Sequence, residues 1–186
     1  MSAHPDLDKA KEIVTIKDGS QVLLRPIVPE DAPLLQEGFK RLSPQSIYYR
    51  FLETARELSD AQARTLANVD YQKRMALVGT IQEDGHERII VVARYALVED
   101  PAEPDLAEAA IVVRDDYQQR GLGKIAMHRL AHYAQQHGVT AFLATIHTSN
   151  LPILRFIQHS GLTYQRKMLE PGVWEIRIRL EPQDPA

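Results

Sequence analysis

The residues with the most chemical potential lie between Ala107 and Ala126. Ala107-Glu108-Ala109-Ala110-Ile111-Val112-Val113 reads as a strand. It runs through Arg114-Asp115-Asp116-Tyr117-Gln118-Gln119-Arg120-Gly121-Leu122-Gly123-Lys124 into a helix. A glycine turn at a helix N-terminus is a ready anion site. Glycines let a ligand approach the main chain, the first amide hydrogens lack intrahelical acceptors, and the helix dipole favours negative charge. Arg120 and Lys124 add positive charge, so the turn predicts a phosphate-bearing ligand. Glu108 is the candidate base. Strand alternation puts it on one face with Ala110 and Val112, and its small apolar neighbours would desolvate it. A solvated carboxylate at a strand end fits the same pattern.

Several phosphate loops compete for the turn. A P-loop needs a hydroxyl after Gly-Lys, and Ile125 follows Gly123-Lys124. Gly121, Gly123 and Ala126 match the spacing of a dinucleotide fingerprint. However, about seven residues separate the strand from the glycines, and the next strand, Thr140 to Ile146, has no ribose-binding acid. A plain strand-to-helix reversal also fits. His128 and His132 stand i, i+4 on a helix, but no third ligand or HExxH glutamate accompanies them, so no metal is expected. Asp70 and Tyr71 precede a strand and could line a binding site or form a turn. Tyr48, Tyr49 and Phe51 could wall a pocket or pack in the core. Ser20, Ser149 and Ser160 lack the context of a nucleophile elbow.

These groups must be held by a mixed set of elements. Asp18-Gly19, Asp84-Gly85 and Pro171-Gly172 mark strand–strand turns. Pro29-Glu30-Asp31 opens a helical stretch to about Leu42, Ser43-Pro44 starts a second through Leu52, and Ser59 to Gln62 is a capping box for a third to about Val69. Leu122, Ile125, Ala126, Leu130, Tyr133 and Ala134 give the helix after the glycine turn an apolar stripe, and Gly138 stops it. Ser149 to Ser160 predicts a last helix. So many hairpins exclude a purely parallel doubly wound sheet. The pattern predicts one α/β (α+β) domain with a mixed sheet, and the helices of 29–69 covering part of one face or edge. The domain is expected over 13–181, with flexible ends at 1–12 and 182–186.

Composition narrows the function. Among 186 residues, 22 Lys and Arg against 25 Asp and Glu give a net charge of −3, which does not suit a dedicated nucleic-acid binder. The absence of cysteine excludes disulfides, thiolate metal sites and a cysteine nucleophile within the chain. The N-terminus lacks the apolar core of a signal peptide, and the longest apolar stretch, Ile89 to Ala93, is far too short to span a bilayer. A cytoplasmic protein without membrane or nucleic-acid partners is expected, its oligomeric state open.

Gln118-Gln119-Arg120-Gly121-Leu122-Gly123, between strand and helix, resembles the coenzyme A loop of GNAT acetyltransferases: Gln or Arg, two residues, Gly, one residue, then Gly or Ala. Asn150 with Gly161-Leu162 resembles a second segment of that family. Leu24-Arg25-Pro26-Ile27, Pro29-Glu30-Asp31, Tyr48-Tyr49-Arg50-Phe51-Leu52, Val69-Asp70-Tyr71, Met75-Ala76-Leu77-Val78 and Ala107 to Gln118 extend the likeness to the catalytic domain of bacterial Pat-type protein lysine acetyltransferases, over about 13–181. Such proteins commonly carry a regulatory domain as well, for which a chain of this length has no room.

The resemblance implies a mostly antiparallel sheet with helices on both faces and a splayed parallel strand pair for acetyl-CoA. Main chain of Ile111, Val112 and Val113 would bind the pantetheine arm. The amides of Gln118, Gln119, Arg120, Gly121, Leu122, Gly123 and Lys124 would hold the pyrophosphate, and Asn150 would face the ligand. Glu108 would be the general base, with Asp70, Tyr71 and Tyr48 at the acceptor. The chemistry is needed because a lysine of pKa ~10.4 is neutral only about once in a few thousand at pH 7. Many GNAT enzymes have a tyrosine acid seven residues after the Asn150 position. Here that residue is Ile157, so the coenzyme A thiolate would take its proton from water. The implied acceptor is an amine, first a protein lysine and second a small amine. A non-catalytic acyl-CoA sensor is the reading from another class, and a dinucleotide oxidoreductase a third.

Overall fold

The computed structural model describes residues 10–180. The expected flexible ends therefore lie mainly outside the described residues, although Glu12 already pairs with Leu24 in the sheet. Strands β1 (Glu12–Thr15) and β2 (Gln21–Pro26) form the first hairpin. The anticipated helix from Pro29 splits into a 3-10 turn, Pro29–Asp31, and α1, Ala32–Lys40. Asp31 does not simply decorate a helix start. It is buried, accepts from both terminal guanidinium nitrogens of Arg25 at 2.7 Å, and accepts the Val28 amide at 2.9 Å.

Helix α2 (Pro44–Phe51) is capped by Ser43, whose hydroxyl accepts the Ser46 amide. Helix α3 (Asp60–Ala67) begins with the anticipated box: Ser59 Oγ accepts from the Gln62 amide and Gln62 Oε1 from the Ser59 amide. Strands β3 (Arg74–Glu83), β4 (His86–Leu97) and β5 (Leu106–Val113) follow as an antiparallel meander. A 3-10 turn, Asp115–Tyr117, leads to α4 (Leu122–Gln136). Then come β6 (Ala141–His147), α5 (Leu151–Gln158), β7 (Tyr164–Glu170) and β8 (Val173–Arg179).

The eight strands form one sheet in the order β1-β2-β3-β4-β5-β6-β8-β7. The β5–β6 pair is parallel and the other pairs are antiparallel, so the mixed sheet is as expected. One face carries α4, which buries Leu122, Ala126, Leu130 and Tyr133 against Tyr95, Ala107 and Phe142. Helix α5 joins that face through Ile157, packed with Ile146 and Ile176. On the other face, Leu35 of α1 and Ala63 and Ala67 of α3 pack on Ala76, Val78 and Ile89. Burying each of these larger aliphatic side chains contributes about 1.5–3 kcal/mol. Helices thus cover both faces, and α2 leans on β5 at the middle of the sheet.

Candidate functional site

The site is a parting of strands. β5 and β6 pair only at Leu106–Ala141, Ala107–Phe142 and Glu108–Leu143. Beyond Glu108, β5 stays bound to β4 as far as Val113, while β6 stays bound to β8 as far as His147. Each strand therefore follows its outer partner and the two diverge. The gap between them is a cleft of about 80 Å³ lined by Ala109, Ala110, Ile111, Ala144, Ile146, Asn150 and Phe156, with Tyr49 and Arg50 of α2. Ladder groups on the facing edges of a parted pair have no strand partner, so an extended ligand can pair with them as a strand would.

The glycine turn stands at the far end of β5. Gly121 has φ +85° and caps α4 without a side-chain bond. The first intrahelical amide bond runs from Ile125 to the Gly121 carbonyl, leaving the Leu122, Gly123 and Lys124 amides at the helix start without an intrahelical acceptor. The Gln119, Arg120 and Gly121 amides also have no acceptor among the described residues. The Gln118 amide is different: it donates to the Asp115 carbonyl at 3.2 Å. Its side chain donates to the Val113 carbonyl at 3.0 Å and to Ser46 Oγ at 3.1 Å. Gln118 therefore braces the turn, and part of the Val113 main chain is already engaged. Arg120 is not free positive charge either. It is paired with Asp18 and its guanidinium lies 4.8 Å from the Tyr117 ring centre. The β1–β2 turn supports the loop, since the Lys17 amide donates to the Arg120 carbonyl at 3.0 Å.

Glu108 lies at the root of the splay. Its register partner on β4 is Ala96, and Arg94 is opposite Ala110, so Glu108, Ala110, Val112 and Arg94 share the face that carries α1, α2 and α3. Glu108 is exposed, so the desolvation expected from its small neighbours is not found. Helix α2 spans the gap above this face. Asp115, just after β5, accepts the Ser43 amide at 2.9 Å and the Ser43 and Ser46 hydroxyls at 2.7 and 2.9 Å. Hydrogen bonds from these groups outweigh burial and hold its carboxyl below the usual range. Farther along α2, the Tyr49 hydroxyl donates to the Ser149 carbonyl beyond β6. The His147 ring stands 5.3 Å from that of Tyr48 and 6.5 Å from that of Tyr49, and its Nδ1 is 2.6 Å from Ser149 Oγ.

Asn150 caps α5, its Oδ1 accepting the Ile153 amide at 3.4 Å, and it lines the cleft. Ile157 is buried in the α5 core, and Phe156 faces the cleft. Asp70 and Tyr71 are not among the residues that line the cleft. Burial, which would raise the Asp70 pKa, is overcome by the amides of Arg74, Gln72 and Lys73 and the Arg74 guanidinium, and the pKa falls to about 2. Tyr71, at φ 60°, donates its hydroxyl to the Ile27 carbonyl and is packed against the core. Among the described residues no cluster of His, Asp and Glu could hold a metal ion. No described helix is long and apolar enough to cross a membrane.

Sequence reading assigned no role to Asp115, His147, Arg50 or Arg94, and it weighed Ser149 only as a nucleophile. Arg94 did carry a signal, as the one charge in the otherwise apolar run from Ile89 to Leu97 of β4. The residues present fit a coenzyme A thioester: six amides without acceptors at the glycine turn, continuous with a parted strand pair whose edges can bind an amide-bearing arm.

Comparisons with known proteins agree with this geometry. The acetyltransferase (GNAT) family profile matches residues 37–162. The chain is 36% identical over 126 residues to an acetyltransferase of Pseudomonas aeruginosa, covering 68% of this chain and 66% of that protein. It is 30% identical over 171 residues to the acetyltransferase Pat of Mycolicibacterium smegmatis, covering 92% of this chain and 49% of that protein. The chain thus spans about two thirds and half of these relatives. The GNAT domain of S. lividans PAT superimposes with a TM-score of 0.83 at 27% identity, over 92% of this chain and 98% of that one. The chain belongs to the acetyltransferase (GNAT) family.

Proposed function

We propose that the protein is an acetyl-CoA-dependent N-acetyltransferase whose acceptor is a protein lysine. The observation that carries this reading is the divergence of β5 from β6 after Glu108, directly ahead of unpaired amides at Gly121. Acetyl-CoA supplies an activated acetyl group. The amides of Gln119, Arg120, Gly121, Leu122, Gly123 and Lys124 hold its pyrophosphate. Edge groups of Ile111, Val112 and Val113 bind the arm, and Asn150 closes the other wall.

The acceptor enters on the face shared by Glu108 and α2, with Tyr48 at its mouth. Glu108, directly or through one water, takes the ammonium proton; its exposed position gives that water a path. The amine nitrogen then forms a bond to the acetyl carbon, whose carbonyl main-chain amides polarise. The carbon–sulfur bond breaks, the nitrogen gives up its remaining extra proton to water, and the thiolate takes a proton from water, since Ile157 offers no acid. With a thiol pKa of ~8.5, sulfur leaves readily enough without one. The resemblance to Pat-type protein lysine acetyltransferases, together with the 30% identity to the acetyltransferase Pat of Mycolicibacterium smegmatis, supports the lysine acceptor over a small amine. The absence of Cys fits a cytoplasmic setting.

Transfer of labelled acetyl from acetyl-CoA to proteins and to small amines tests this reading. The Glu108→Gln change should lower kcat by about 10²–10⁴-fold, the range for a general base, with coenzyme A affinity preserved. Full activity in that variant would reject the base, and failure to bind coenzyme A would reject the activity. Ile157 favours one second reading, a non-catalytic acyl-CoA sensor. Tight coenzyme A binding without turnover on a broad acceptor panel would select it.

A further inference from the structure

Six arginines among the described residues are buried or half-buried: Arg25, Arg50, Arg88, Arg94, Arg114 and Arg120. Four of them bind carboxylates, Arg25 with Asp31, Arg88 with Glu37, Arg114 with Glu83 and Arg120 with Asp18. Arg50 and Arg94 bind none. Arg50 stacks on Phe51 at 4.8 Å, which leaves its hydrogen-bond donors unused. Both line the hollow beneath α1 and α2, with Phe39, Phe51 and Val112, and Arg50 also lines the splayed cleft. Burial lowers the pKa of both, and Arg50 and Arg74 further disfavour the charge on Arg94. Guanidinium groups nonetheless remain charged at neutral pH. Two such groups, half removed from water and close enough to repel, are unfavourable in the free protein. A carboxylate arriving between them would relieve that cost and gain paired, charge-assisted hydrogen bonds.

Their position says which ligand brings it. Arg94 is opposite Ala110, on the same face of the sheet as Glu108, and Arg50 projects from the helix that spans the gap. The pyrophosphate site is at the other end of β5, beyond Val113. The arginines therefore meet the acceptor rather than the phosphates of the donor. We propose that Arg50 and Arg94 are specificity-determining residues that bind the carboxylate of an acidic side chain neighbouring the acceptor lysine. This rests on the acetyltransferase reading above, and it selects among its acceptors.

The test uses the full chain, acetyl-CoA and paired peptides with one lysine flanked either by Glu or by Gln, with free lysine and lysinamide as a second pair. The expected result is a kcat/KM at least about tenfold higher for the Glu peptide, the usual worth of a hydrogen bond to a charged group. Arg94→Gln should bring the two peptides close to parity while Arg94→Lys keeps part of the preference, and coenzyme A affinity should be the same in all three proteins. The wild-type ratio needs no variant to fold. Equal kcat/KM for the two peptides overturns the proposal while leaving the transferase standing. A preference for free lysine over lysinamide without one for the Glu peptide also overturns it, because the carboxylate read is then that of a small amine. If no peptide is acetylated, the protein-lysine reading has failed, and peptide binding with coenzyme A present decides the charge preference: tighter binding of the Glu peptide upholds it, equal binding ends it.

Discussion

Tyr49 donates its phenol to the carbonyl of Ser149 at 2.9 Å, and so ties together the two sides of a sheet that has come apart. Tyr49 belongs to α2, whose other end is held by Asp115 just after β5. Ser149 follows β6. The strands can separate because α2 bridges them above. The bridge also places Arg50 beside Ala109 and Ala110, the residues that follow Glu108 on β5, and Tyr48 beside His147 at the end of β6.

Tyr49→Phe keeps the ring beside His147 and removes only the hydroxyl. The lost bond is exposed, so the stability cost is about 0.5–1 kcal/mol, the low end for a hydrogen bond. At this chain length that is roughly 1–4 °C in Tm. The larger expected effect is on the acceptor, whose KM should rise severalfold because the α2 bridge is less well fixed. Calorimetry and steady-state kinetics read the two separately. An unchanged acceptor KM would show that the bridge does not shape the acceptor side.

Gly121→Ala separates backbone conformation from crowding. An added Cβ would meet the Lys17 side chain at 3.6 Å, an ordinary contact. The φ of +85° is the obstacle, costing an L residue about 1–2 kcal/mol or driving the turn into another shape. Coenzyme A affinity should fall along with Tm. Gly123→Ala should be milder on both counts, since its Cβ would meet Ile111 and Val113 side chains at 3.5 Å and no positive φ is involved. Titration of coenzyme A into both variants checks the order, and a reversed order would mean that the second glycine is the critical one.

Local signals explain which parts of this arrangement were legible. The Ser59–Gln62 box and the Gly121 turn lie within a few residues of chain, and the structure has both. The hairpin glycines and the period of α4 gave the mixed sheet for the same reason. The Asp115 cap on α2 joins residues 72 apart, and Tyr49 reaches Ser149 across 100, so no spacing rule could pair them. Glu108 illustrates the converse. Small neighbours along a strand suggested burial, but whether a strand face is covered depends on the helix opposite, and Glu108 lies at the uncovered end. Asp70 looked available for an acceptor because sequence does not show that three amides would converge on it.

Gly79 lies where the β3–β4 register shifts, between Gly79 and Thr80. A Cβ there would stand 2.5 Å from Val91 Cγ1 and 3.1 Å from Val22 Cγ1, on two neighbouring strands. Gly79→Ala should destabilise by about 1–3 kcal/mol through overpacking. Trimming the first obstacle in the double variant Gly79→Ala, Val91→Ala should recover part of this loss, because the two changes act on the same space. Denaturant unfolding of the four proteins of the cycle measures the coupling. Strict additivity would mean that the contact is not what requires glycine.

Asp70 predicts a pH-dependent stability with a definite sign. In the folded chain its pKa is about 2, lower than the ~3.9 of an unperturbed aspartate. Burial acts against this, but three amides and the Arg74 guanidinium favour the ionised form. A group with a depressed folded pKa stabilises above its unfolded pKa and loses that contribution as pH falls through its folded one. The Tm difference between wild type and Asp70→Asn should therefore be constant above pH 5, shrink below about pH 4 and disappear only as the pH falls below about 2. Its size is modest, because the Asp70 side chain is 39% exposed and solvent screens the Arg74 pair. Added salt should reduce it only in part, since the amide bonds are neutral–ionic contacts at 2.7–2.9 Å and not a solvent-separated pair. Calorimetric scans of both proteins from pH 7 downwards measure this, and a gap that widens as the pH drops would contradict the assignment.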